Sequence, residues 1–590
     1  VILKGSEIIA EHLIENGVPY VFGLCGHGIL GFMDAFHDRK DRIQLVSVRH
    51  ESAAGYMADA YFRVTHKPVA TYTSCGPGSV NLLIAMAGAL MDSSAFLSIT
   101  GNVPTSQFNR GPFQETGKFF QADWPTVARS YVKRVLQPTR PEMMAHTVRQ
   151  AMVTMMAGRP GPVNIDVPFN VFAETAEVKP SDLKRQVTRL DTASPASDQA
   201  LEQTLAELLA AERPVIAVGG GLTLSEGWSE LRELVDLLQV PFHYTPQGKV
   251  GIDERHPLAL GATGRNGTFA ANQAGKNADV IFAVGHSFDD RATSGWLPGY
   301  TYNFPQTRLI QLDVDAAEIG RNYPVALGLI GDAKASLARL VAIARHKLGG
   351  NCPDRSQWLA RIGEWKAKWA AFQAPLALSD SAPIRPERLM AELRKALPDN
   401  TILLSDVGVH HNWVVQLWEN RNPNHLLQAW GFAAMGFGVA GGLGAKLAAP
   451  DQPVVVLCGD GGFTMHSHVL ATAVEYNIPV VWVIFNNYAY GSIRDQQKGF
   501  FGPRELAVDF RRVVGGELYN PDFAAMAHAY GAGGVRVDRP QELAGALEVA
   551  LKSGRPYVVD VHIDREIRPA GTGSWILPPQ PSPEPNFYEE

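Results

Sequence analysis

The chain has 590 residues, 46% of them hydrophobic and 19% charged, and a formal net charge of −6. That length exceeds one hydrophobic core and predicts about three or four domains. The mild charge, with no dense Lys/Arg cluster, argues against nucleic acid and points to a small-molecule or protein partner.

Cys25, Cys75, Cys352 and Cys458 form no CxxC pair. A disulfide framework or zinc site is therefore disfavoured, and reduced thiols in a cytoplasmic protein are expected. Residues 1–5 show no signal-peptide pattern and lead into helical periodicity at Ile8, Ile9, His12, Leu13 and Asn16. Residues 1–175 alternate apolar runs (20–22, 43–46, 69–72, 96–99) with helical stretches and close on a strand at 161–168. This is the pattern of a parallel sheet with crossover helices. A polar linker at 178–198, with Pro180, Ser181, Thr188 and Ser194, leads to a second block at 199–345. Its predicted strands are 214–218, 280–284 and 309–313. A second linker, 349–386, holds a helical patch with Trp358, Trp365 and Trp369. The third block spans 387–565; its apolar run 453–458 is far too short for a bilayer, and no membrane partner is expected. In the proline-rich tail, 566–590, Trp575, Ile576, Leu577 and Phe587 predict packing over a core surface.

Three motifs carry chemistry. Gly459-Asp460-Gly461-Gly462 and Asn486-Asn487 bracket one predicted helix (464–476) and one strand (480–485). Asp460 and Asn487 therefore fall at the carboxyl ends of neighbouring parallel strands, where such sheets bind ligands. A hard cation such as Mg²⁺ takes oxygen ligands and keeps room for phosphate oxygens. The glycines let a diphosphate approach the backbone. Both segments are also ordinary turn chemistry. Arg49-His50-Glu51 precedes a small-residue helix, where a carboxylate is often only a dipole partner. Ser74-Cys75-Gly76-Pro77-Gly78-Ser79 forms a tight strand-to-helix turn.

Together these segments resemble the thiamine-diphosphate-dependent enzymes of the acetohydroxyacid synthase and pyruvate oxidase branch. The likeness covers nearly the whole chain. It adds Gly111-Pro112-Phe113-Gln114-Glu115, similar to a loop facing the thiazolium, and Ala434-Met435-Gly436-Phe437-Gly438, similar to the segment beneath the bent cofactor. The resemblance implies an α/β fold of three consecutive doubly wound parallel-sheet domains: pyrimidine-binding, middle and diphosphate-binding. It implies Glu51 as the carboxyl against the cofactor's pyrimidine ring, where burial raises a carboxyl's proton affinity. Gly76, Pro77 and Asn81 would line the pyrimidine side. Met435 would support the cofactor, with Gly459, Gly461 and Gly462 on its diphosphate. Asp460, Asn487 and the Ala489 carbonyl would hold Mg²⁺. In the middle block, Gly219-Gly220-Gly221, the segment 264–268, Phe288-Asp289-Asp290-Arg291 and the segment from Asp313 to Gly320 resemble an FAD-binding domain. Relatives also bind ADP there or leave it empty. Gly219, Gly220 and Asp313 are its expected contacts.

Two departures bear on substrate. The loop after the first strand reads Cys25-Gly26-His27-Gly28 where the synthases have Pro-Gly-Gly, so His27 joins Glu51 and Gln114 as a candidate catalytic residue. Gln496 stands where the synthases carry a tryptophan, which predicts a more polar pocket; Arg494 beside it reads equally as a cation for a carboxylate or a solvated helix charge. His410, His411, His466 and His468 flank the cofactor segments. His466 and His468, two apart on one predicted helix, should face different ways. The function implied is a carboligase or lyase acting on a keto acid, aldehyde or acyloin, as a homodimer or homotetramer. The tail would lie over the active-site region. Alternatives on the same scaffold are a 2-hydroxyacyl-CoA or oxalyl-CoA lyase or decarboxylase, a C–C hydrolase, or a non-catalytic regulatory paralogue.

Overall fold

The computed structural model describes residues 1–114, 124–184 and 193–573. Glu115, Thr188, Trp575, Ile576, Leu577 and Phe587 lie outside the described residues. Three six-stranded parallel sheets organise the chain. In the first, the spatial order is Gln44–Ser47, Tyr20–Gly23, Ala70–Thr73, Leu97–Asn102, Val163–Pro168, Arg134–Leu136. In the third it is Leu426–Gln428, Ile402–Ser405, Val454–Gly459, Val481–Asn486, Tyr557–His562, Gly533–Val537. Numbered along the chain, both orders are 2-1-3-4-6-5. The middle sheet runs Ala259–Ala262, Phe242–Tyr244, Pro214–Val218, Val280–Val284, Arg308–Asp313, Leu327–Ile330, which is 3-2-1-4-5-6. Helices cover both faces, so central strands such as Val454–Gly459 and Val481–Asn486 are almost wholly buried and read as continuous apolar runs.

Short elements escaped sequence reasoning. Ile2–Lys4 is a strand antiparallel to Thr175–Glu177, although this stretch read as a lead into the first helix. The middle strands at 242–244, 259–262 and 327–330 have three or four residues each, too few for a periodic signal. The second linker is largely a 22-residue helix, Ser356–Ala377. Trp358, Trp365 and Trp369 lie on its buried face, and the Trp358 indole donates to the Pro214 carbonyl at 3.2 Å. This linker thus completes the middle core.

The first and third domains meet along the helices Glu51–Thr65 and Phe437–Ala448. Their contact is close because small residues line it: a Cβ on Gly444 would fall 2.0 Å from the Met57 carbonyl oxygen. All three domains converge on Asp92. Its carboxylate accepts from Arg63 at 3.0 Å, from Gln247 of the middle domain at 2.8 Å, and from the Trp430 and Gly431 backbone N–H groups of the third at 3.1 and 2.7 Å. Arg63 also pairs with Asp59 and donates to the Gln428 carbonyl. Asp92→Ala leaves Arg63 its Asp59 partner but strips the Gln247 amide and the Trp430 and Gly431 N–H groups of their acceptor. It should destabilise the protein by about 1–3 kcal/mol, the cost of buried polar groups left unmet, measured as a lowered denaturant midpoint against wild type.

Candidate active site

The strand order of the third sheet reverses between Ile402–Ser405 and Val454–Gly459, opening a crevice at their carboxyl ends. A cavity of about 520 Å³ lies there. It is lined by Gly459 to Gly462, Met435, Asn487, Ala489 and Tyr490, together with Arg291, His411, Trp430, Met465, Ile493 and Gln496. Asp460 begins the helix Asp460–His466 and is 1% exposed. Its carboxylate accepts from the Gly461 N–H at 2.9 Å and the Asn520 amide at 2.8 Å. Asn520 also donates to Asn486 Oδ1, and Asn486 in turn donates to Asp560. Asn487 is likewise buried, and a Cβ on Gly491 would come 2.6 Å from its amide nitrogen.

No cation pairs with Asp460 among the described residues, and burial pushes its pKa up to about 7. A buried carboxylate met only by neutral donors, beside a carboxamide and the carbonyl-bearing turn at Ala489, is a donor set for a hard divalent cation. No group of three or more His, Cys, Asp or Glu placed to hold a metal occurs among the described residues. Asp406, at the end of the neighbouring strand, is also raised to about 7 by burial. It accepts from the Gly436 N–H at 2.9 Å and the Gly438 N–H at 3.0 Å, pinning the turn that carries Met435. A Cβ on Gly462 would fall 2.2 Å from Asp406 Oδ2.

The first-domain candidates gather separately, at the equivalent crevice of their own sheet. Glu51 opens its helix and is buried; the Asn81 amide donates to Glu51 Oε2 at 2.9 Å. Gly78 keeps space beside that carboxyl, since a Cβ there would sit 3.2 Å from Oε1. Pro77 is the first residue of the helix Pro77–Met91. Gly76 has φ +62°, and a Cβ on it would meet the Gln114 carbonyl at 2.3 Å. His27 is exposed on a short turn, with Nε2 3.7 Å from Cys75 Sγ and its ring 5.8 Å from that of Phe113. None of Glu51, His27, Gln114 or Asn81 lines the third-domain cavity of the same chain.

In the middle domain, Gly219 packs on Gly285, whose carbonyl oxygen would lie 2.0 Å from an added Cβ; Gly220 is more open, with Gln247 at 3.4 Å. Asp313 ends its strand and accepts from the Asp315 N–H.

The predicted helix 464–476 is in fact two, Asp460–His466 and Val469–Glu475. That break brings the His466 and His468 rings to 5.5 Å, correcting the expectation that one helix would turn them apart. Arg494 is neither solvated nor turned to a ligand: it is buried and paired with Glu505, Asp509 and Glu566.

Comparison with known proteins matches the thiamine pyrophosphate enzyme N-terminal TPP binding domain over residues 3–122, the central domain over 201–340 and the C-terminal TPP binding domain over 406–561. The chain belongs to the thiamine pyrophosphate enzyme family. It is 35% identical over 570 residues to the "Probable acetolactate synthase large subunit" of Methanocaldococcus jannaschii, covering 95% of this chain and 92% of that protein. It is 34% identical to the acetolactate synthase large subunit of Parasynechococcus marenigrum, covering 95% and 88%. Against the acetolactate synthase isozyme 3 large subunit of Escherichia coli (strain K12), the identity is 30%, with 95% of each chain covered. The protein is thus a thiamine-pyrophosphate-dependent, acetolactate-synthase-like carboligase. No helix among the described residues is long and apolar enough to cross a membrane.

Asp406, Asn520 and Tyr490 had no place in the sequence reading of this thiamine pyrophosphate enzyme. Asp406 follows a strand exactly as Asp460 does, and that parallel was its available signal. Asn520 sits far along the chain in an irregular segment without one. Gly462→Ala should displace the Asp406 carboxylate and weaken thiamine pyrophosphate binding by more than about tenfold, in line with the cost of losing a supporting hydrogen-bonded group; quenching of intrinsic fluorescence on cofactor titration reads this out.

Proposed function

We propose that this enzyme joins two carbonyl compounds, drawing one of them from a 2-keto acid that loses CO₂. The observation that carries the reading is the pair of equivalent crevices, one holding Glu51 with Asn81 and the other holding Asp460 with Asn487. When bound, thiamine diphosphate would supply the electron sink for the decarboxylation. Asp460, Asn487 and the Ala489 carbonyl would hold Mg²⁺ beside the diphosphate, and Met435 would pack against the cofactor. Glu51 would hold a proton against the pyrimidine, and Gly76, Pro77 and Asn81 would shape that end. His27 moves a proton at the substrate carbonyl, and Gln114 orients it. Gln496 in the cavity wall suits a more polar acceptor than an indole would. The relatives named as acetolactate synthases favour pyruvate as the first donor to try.

No residue of the Glu51 cluster lines the third-domain cavity of its own chain, which supports a homodimer or homotetramer in which each Glu51 cluster faces a partner's cavity. The helix Pro77–Met91 leaves Val80, Ile84 and Met91 between 43% and 53% exposed, an apolar stripe beside Glu51 that a second copy would cover. The strand order of the middle sheet, the arrangement of dinucleotide-binding sheets, supports FAD there ahead of ADP or an empty crevice. A flavin absorption band in the purified protein is expected; ADP released on denaturation would replace that assignment.

With thiamine diphosphate, Mg²⁺ and pyruvate, the enzyme should release CO₂ and form a new C–C bond; turnover of no keto acid or acyloin ends the reading. Glu51→Gln should slow hydrogen–deuterium exchange at the cofactor's reactive carbon by about 10²–10⁴-fold, the usual worth of a positioned acid or base, while cofactor affinity changes little. Glu51→Gln and Asp460→Ala should each be inactive alone. Mixed subunits should regain about a quarter of wild-type activity, because half of randomly assorted dimers then carry one intact site. No recovery on mixing would place both residues in the same chain's site.

A further inference from the structure

The cavity lining includes a histidine whose hydrogen bonds fix its chemistry. His411 lies on the helix Val409–Leu417. Its Nε2 is 2.7 Å from Gln428 Oε1. The other end of that carboxamide is committed: Gln428 Nε2 donates to the Pro246 carbonyl oxygen at 2.5 Å. A carbonyl oxygen can only accept, so the amide nitrogen must face Pro246 and the amide oxygen must face His411. The imidazole therefore carries its hydrogen on Nε2, an assignment made from the network. Nδ1 is left as an acceptor, with no hydrogen bond to it among the described residues. Burial and the nearby Arg291 guanidinium push the His411 pKa down to about 4, so the ring is neutral at physiological pH. Trp430 meets it edge-on at 4.9 Å, and its own backbone is held by Asp92, so the ring has little freedom to turn.

We propose that His411 is a specificity-determining residue: its Nδ1 accepts a hydrogen bond from a hydroxyl on the substrate, so the enzyme selects a hydroxylated keto acid over its alkyl isostere. This rests on the reading of the cavity as the place where substrate meets cofactor. The physical basis is asymmetric. An acceptor that a bound ligand cuts off from water and leaves unpaired costs free energy, so an analogue lacking the hydroxyl is rejected more strongly than an extra methyl would be.

The test uses two unreactive carboxylates that differ in one position, hydroxyl against methyl: glycerate and 2-hydroxybutanoate. Each is titrated calorimetrically into the enzyme loaded with thiamine diphosphate and Mg²⁺, so the outcome does not depend on turnover. Wild type should bind glycerate at least about tenfold more tightly, a modest share of the discrimination such acceptors supply. His411→Phe, which keeps a planar ring without the acceptor, should abolish the preference; His411→Asn, which restores an acceptor, should recover part of it. Equal affinities in wild type, tighter 2-hydroxybutanoate, binding of neither, or a preference that survives His411→Phe would each overturn the proposal. Should His411→Phe fail to fold, the wild-type comparison and His411→Asn decide the matter. Failure of the carboligase reading would register separately, as an absence of CO₂ release and C–C bond formation.

Discussion

One carboxylate ties the molecule together. Asp92 ends a first-domain helix, yet its oxygens are shared among Arg63, the Gln247 amide and two backbone N–H groups of the third domain. Burying a charge is costly unless it is paired and its remaining lone pairs are met. Here all three domains supply the donors, so none can shift without stranding it. The cavity depends on this arrangement. Trp430, one of its walls, is held at its own N–H, and Gln428 beside it is fixed by Arg63 on its carbonyl and Pro246 on its amide.

Electrostatic tension is concentrated at the carboxyl ends of the third sheet. Asp406, Asp460 and Asp560 are all pushed up by burial, to about 7, 7 and 6, and each is met mainly by neutral donors. Such groups are expensive to hold charged in the chain alone. Their opposition to ionisation is what a cation could relieve at Asp460, while Asp406 spends its oxygens on the turn bearing Met435. The first domain is built differently. Glu51 has an amide donor and a glycine-lined space, with Cys75 and His27 in the adjoining loops. Two sheets of the same order thus present two unlike crevices, and the segments after their first three strands account for the contrast.

Much of this was legible in the sequence because it is local. Apolar runs between helical stretches gave the α/β blocks, and Gly-Asp-Gly followed by Asn-Asn gave a strand-end pair from spacing alone. Glu51 and Asn81 could be suspected, but their 2.9 Å hydrogen bond joins the starts of two helices 30 residues apart. Arg494 shows the limit from the other side. A cation next to a substrate-pocket residue invites a role in binding, yet its partners come from 505, 509 and 566, which no local pattern links. His466 and His468 show another: a helix break of two residues reversed their expected divergence.

The sequence by itself determined the alternation of strands and helices, the strand-end position of the Asp460 and Asn487 motif, and the family likeness. These follow from side-chain periodicity and turn chemistry, which act over a few residues. Only the tertiary structure decided which groups are buried without a counter-charge, that Asp92 joins three domains, that Glu51 and Asp460 occupy separate crevices of one chain, and which nitrogen of His411 is left to accept. Those properties come from desolvation and from hydrogen bonds between segments up to hundreds of residues apart, and they exist only once the chain has closed around them.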